Sequence, residues 1–80
     1  MAELSVAKKR EFLEAQLENY RTQRYRNDVE TSILVNATET IGEDYKTKKE
    51  MDEHKKKTDW MNEELEVAIA TLEQHLSELP

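Results

Sequence analysis

The chain has 80 residues, 38% of them charged and 36% hydrophobic, with one Gly, one Pro, no Cys and a formal net charge of −6. That length admits one small domain, 1–80, and is too short for most enzyme folds with a walled pocket. Without cysteine there are no disulfide staples and no thiolate zinc site, and a single glycine excludes a phosphate-binding glycine loop and argues against a turn-rich all-β fold. No apolar run approaches the roughly 20 residues of a membrane span, and the first residues lack a signal-peptide core. A soluble cytoplasmic protein with no membrane partner is therefore expected.

The first predicted element is a helix over about 4–41. Ser5 is a suitable cap, and residues 6–41 are tolerable or good helix formers. An apolar and small-polar seam runs at spacings of four and three through Val6, Arg10, Leu13, Leu17, Tyr20, Arg24, Asn27, Thr31, Leu34, Thr38 and Ile41. Ser32-Ile33-Leu34-Val35 is a β-branched stretch, but the helical period continues on both sides of it. Gly42 is the only interior breaker. Extending the first frame beyond it would bury Lys48, Asp52, Asp59 and Glu66, whereas a new frame works: Asp44, Thr47, Met51, His54, Thr58, Met61, Leu65, Ala68, Leu72, His75 and Leu79. The phase resets at a turn, expected over 42–44 with Asp44 as cap, and a second helix follows over about 45–78.

The expected fold is all-α: a long antiparallel helical hairpin, a two-helix coiled coil, with facing numbers summing to 85. Each arm of about 37 residues would be about 55 Å long. In that register Leu13 meets Leu72, Leu17 meets Ala68, Leu34 meets Met51, Asn27 meets Thr58 and Thr31 meets His54. The charges choose the same fold-back. Residues 7–26 carry a net +3, 27–39 a net −3, 46–57 a net +3 and 59–80 a net −6. Folding back near the middle sets every block against one of opposite sign, and although single exposed pairs are weak, their pattern selects one alignment. A parallel dimer of continuous helices would stack like-charged blocks.

One seam leaves apolar side chains uncovered, and a lone two-helix hairpin is marginal. Phe12, Tyr25, Val29 and Ile33 on the first helix, and Trp60, Val67, Ile69 and Leu76 on the second, are the interface candidates. Scattered surface hydrophobes would be ordinary. The sharper expectation is a second interface that makes a dimer or four-helix bundle, with the aromatics as anchors. Arg24, Asn27, Thr31, His54 and Thr58 form an expected polar layer in mid-seam. It can penalise slipped registers, or give a pH-sensitive point through His54, or simply reach water past a thin core.

Chemistry finds little purchase. The two histidines, His54 and His75, lack the Glu-x-x-His spacing of di-iron bundles, and no Ser-His-acid or Cys-His set can be assembled, so no enzyme activity, metal or cofactor is expected. Tyr20-Arg21-Thr22-Gln23-Arg24-Tyr25-Arg26 interleaves aromatics with arginines as nucleic-acid binders do, but an acidic chain is a poor partner for phosphate. The expected role is a self-associating assembly or scaffolding module. The alternatives are a small chaperone or regulator that binds a partner's amphipathic helix, and, with less support, a nucleic-acid-binding hairpin.

Overall fold

The computed structural model describes residues 3–80, and among them two long helices pack against each other as a hairpin with no strand. Helix α1 spans Val6–Ile41 and helix α2 spans Lys48–Ser77. The hairpin measures 58 × 22 × 16 Å. Its radius of gyration is 18.1 Å, against about 12 Å for a compact 80-residue domain.

Local chemistry sets the ends. Ser5 Oγ accepts the Lys8 amide at 3.1 Å, satisfying one of the free donors of the first turn of α1. Gly42 stops α1 with φ 84° and ψ −154°, a backbone region essentially restricted to glycine, while its own N–H donates to the Thr38 carbonyl. A single 3-10 turn over Gly42–Asp44 follows, closed by the Tyr45 amide on the Gly42 carbonyl at 3.0 Å. Thr47 then caps α2: its hydroxyl oxygen accepts the Glu50 amide at 3.2 Å and its O–H donates to Glu50 Oε1 at 3.0 Å.

The second helix thus begins at Lys48, three residues later than the sequence reading, and Thr47 rather than Asp44 is the cap. Thr47-Lys48-Lys49-Glu50 is a Ser/Thr-x-x-Glu start signal, whereas Asp44 has no acidic or amide residue three positions on. The longer connection moves the fold-back point. Asn27 meets Asn62 and Arg24 meets Glu66, so facing numbers sum to 89 or 90 and not to 85. The arms are displaced by about one helical turn from the expected register. In the observed register Leu13 lies level with Leu76, Leu17 with Leu72, Tyr20 with Ile69 and Thr31 with Thr58.

The inner face of α1 is as the heptads describe it over most of its length. Leu13, Leu17, Tyr20, Arg24, Asn27, Thr31, Leu34 and Thr38 are buried or half-buried, although Val6, Arg10 and Ile41 at its ends are exposed. The inner face of α2 is rotated. Met51, Lys55, Thr58, Asn62, Leu65, Ile69, Leu72, Leu76 and Leu79 turn inward, and His54, Met61 and His75 are exposed. Ile69 and Leu76 are larger apolar groups than Ala68 and polar His75, so turning them inward removes more apolar surface from water. Among the described residues only Leu17, Leu34 and Leu65 are buried, at 4%, 4% and 8% exposed. The seam polar groups are satisfied locally: Thr31 and Thr38 donate to the Asn27 and Leu34 carbonyls one turn back, at 2.9 and 2.7 Å.

Candidate interaction surface

The hairpin has two edges and two broad faces, and the interface candidates are spread over both edges and one face. Tyr25, Val29 and Ile33, each four residues from the next, wind along the exposed outer side of α1. Trp60 and Val67, seven residues apart, lie on the outer side of α2 and are 63% and 66% exposed. Val29 and Trp60 stand at the same height on opposite edges. Phe12 borders a hollow near the open end with Leu4, Leu13, His75 and Leu79. Ile69 and Leu76 do not join any of these: both are half-buried in the hairpin's own seam.

The polar layer is likewise rearranged. Arg24, Asn27, Thr31 and Thr58 are half-buried in mid-seam, but His54 is exposed, displaced from the seam by the rotation of α2, and Lys55 is half-buried in its stead. Two side-chain hydrogen bonds tie the layer across the seam among the described residues: Asn27 Nδ2 donates to Asn62 Oδ1 at 2.9 Å, and Arg24 donates to Glu66 Oε1 at 3.4 Å. Sequence reasoning missed Asn62 because it left this asparagine off the seam. The signal lay in Ile69 and Leu76, which stand seven and fourteen residues beyond Asn62 and mark the same helical face.

One broad face carries the ion pairs of Arg21 and Arg24. Arg24 donates to Asp28 on its own helix and reaches Glu66 Oε1 across the seam at 3.4 Å, and Arg21 lies 3.9 Å from Glu73. The hydrogen bond to Asp28 raises the Arg24 pKa above its ordinary value; partial desolvation opposes this, and the charge of Asp28 and the contact with Glu66 add to it. A raised arginine stays charged below its unfolded pKa and loses the benefit only above it, so this group gives no pH dependence near neutrality. At the open end Arg10 donates to the Pro80 carbonyl at 3.3 Å. These contacts bring the basic start of α1 onto the acidic end of α2, as the charge blocks suggested.

The other broad face holds two adjoining hollows. The first, about 520 Å³, is lined by Tyr20, Gln23, Arg26, Asn27, Met61, Glu64, Leu65 and Ala68. The second, about 180 Å³, is lined by Asn27, Glu30, His54, Lys57, Thr58 and Met61. Asn27 and Met61 are common to both.

The arginine-tyrosine run does not form one surface. Tyr20 is half-buried on the hollow side, Arg21 and Arg24 turn to the ion-paired face, Tyr25 to the outer edge and Arg26 to the hollows. Among the described residues no three His, Asp or Glu side chains gather into a metal-holding group. No described helix is long and apolar enough to cross a membrane. Comparison with protein-family models, curated proteins and solved structures finds no match to this chain.

Proposed function

We propose that this chain is a non-enzymatic cytoplasmic interaction module, a coiled-coil hairpin that self-associates and serves assembly or scaffolding. The observation that carries this reading is its uncovered surface. The hairpin exposes 6444 Å², whereas a compact monomer of its 9.5 kDa mass exposes about 5,000 Å². The difference exceeds the roughly 800 Å² that each partner gives to a standard interface. Among the described residues eleven large apolar or aromatic side chains are exposed against three in the core, which is the balance of an incomplete bundle.

Association binds the folded state and not the unfolded chain, so the urea midpoint is expected to rise with protein concentration. A midpoint that stays constant over a hundredfold range of concentration would defeat the reading.

A second reading has specific support: the hollows lined by Tyr20, Met61, Leu65 and Ala68, and by Leu4, Phe12, Leu13 and Leu79, fit the apolar face of a partner's amphipathic helix. Co-purification with one protein at fixed stoichiometry, together with a monomeric state alone, would favour this chaperone-like role over self-assembly. A nucleic-acid role has less support, since the arginines are divided between faces and two of them are engaged by carboxylates.

A further inference from the structure

The two adjoining hollows carry a charge arrangement that the intramolecular fold does not use. Arg26 and Glu64 border the first hollow, one from each helix. Glu30 and Lys57 border the second, again one from each helix. In the observed register, Arg26 on α1 stands nearly level with Glu64 on α2, and Glu30 nearly level with Lys57. The two levels are separated by four to seven residues, about 6–10 Å along the helices. The signs therefore form a checkerboard, plus and minus above minus and plus, centred on Asn27 and Met61. None of the four is in an ion pair within the hairpin among the described residues.

A checkerboard of this kind is self-complementary. A two-fold axis lying in the face and running along the hairpin sets Arg26 over the partner's Glu64 and Glu30 over the partner's Lys57. A two-fold in the face and across the hairpin sets Arg26 over Glu30 of the partner subunit and Lys57 over Glu64 of the partner subunit. Either operation meets opposite charge at all four positions, which is the condition for the same patch to serve both sides of a symmetric interface. The uncharged residues lining the hollows suit close approach: Met61 and Asn27 lie between the two charge levels, and beyond Arg26 and Glu64 stand small Ala68 and uncharged Gln23. The broad faces measure 58 × 22 Å, enough for the roughly 800 Å² per partner of a stable dimer.

We infer that a second copy of this chain docks face to face across the Asn27–Met61 hollows, registered by Arg26, Glu30, Lys57 and Glu64, to complete a four-helix bundle. This rests on the self-association reading above and specifies its surface. The ion-paired face with Arg21 and Arg24 stays outside this contact, as do Tyr25, Val29, Ile33, Trp60 and Val67 on the two edges, so of the exposed apolar side chains the docking face draws on Met61, Phe12 and Leu4.

The test uses three forms of the full chain in sedimentation equilibrium. R26E with K57E makes all four rim charges negative, and E30K with E64K makes all four positive. All four side chains are exposed, so helical content by circular dichroism is expected to be kept. Each altered form alone is expected to dimerise at least tenfold more weakly than the unaltered chain, and an equimolar mixture is expected to recover dimer. If the unaltered chain dimerises and the all-negative form dimerises equally well, or if the mixture recovers nothing, the docking face is wrong while self-association stands. If the unaltered chain is monomeric throughout, both fail.

Discussion

Replacing the asparagine pair tests the observed register at its most specific contact. Asn27 Nδ2 donates to Asn62 Oδ1 at 2.9 Å, and both side chains are half-buried. A neutral hydrogen bond of this kind nets about 1 kcal/mol. A leucine at either site, half-buried, gains about 1 kcal/mol, roughly half the value for full burial. Asn27→Leu alone loses the bond and gains that burial, so its stability is expected within about 0.5 kcal/mol of the starting protein; Asn62→Leu behaves likewise. The double replacement loses one bond and gains twice, so it is expected to be about 1 kcal/mol more stable. The coupling energy in the cycle is then about 1 kcal/mol. The assay is urea unfolding followed by circular dichroism at one fixed protein concentration, because association shifts the midpoint. Additivity of the two single changes within about 0.3 kcal/mol would mean that the amides are not partners, and the register would have to be redrawn.

Three further outcomes follow from the same structure. Gly42→Ala is expected to cost about 1–3 kcal/mol although an added methyl meets nothing within 4 Å, because the penalty lies in the φ 84° backbone; unchanged stability would refute that geometry. Leu34→Ala is expected to cost at least about 2 kcal/mol, while Ile33→Ala next to it, 59% exposed, stays within about 0.5 kcal/mol, and equal effects would place the seam wrongly. In this cysteine-free chain, Thr31→Cys with Thr58→Cys is expected to oxidise to an intramolecular disulfide faster than Thr31→Cys with His54→Cys, and the reverse order would restore the register that sums to 85.

The sequence makes the hairpin itself legible and leaves its register ambiguous, for physical reasons. The heptad phase breaks at Gly42 whichever residue is taken as the next cap, so the existence of the bend and the two helices does not depend on fine detail. Register depends on which apolar residues meet, and the middle of this seam offers few. Arg24, Asn27 and Thr31 on one arm and Lys55, Thr58 and Asn62 on the other are tolerated opposite each other in several alignments. A shift of one turn exchanges Leu opposite Ala for Leu opposite Leu only at Leu17. The discriminating signal was the Thr47-x-x-Glu50 box, which lengthens the connection.

The interface candidates were legible as exposed residues and not as one surface. Phe12, Tyr25, Val29, Ile33, Trp60 and Val67 are all exposed, yet they divide among two edges and one face. On α1 the four follow from the helical spacing itself, whereas on α2 the rotation drew Ile69 and Leu76 into the seam and left Trp60 and Val67 exposed. The Arg26, Glu30, Lys57 and Glu64 arrangement becomes visible only once both register and rotation are known, since it requires residues far apart in the chain, Arg26 with Glu64 and Glu30 with Lys57, to stand nearly level.

The most direct test of self-association is the solution mass by light scattering, with small-angle X-ray scattering, across a dilution series. The expected result is a species of twice the 9.5 kDa chain mass that persists on dilution, with a length near 58 Å and a cross-section thicker than one hairpin. A single-chain mass at every concentration would contradict self-association, and a rod near twice that length would contradict the hairpin.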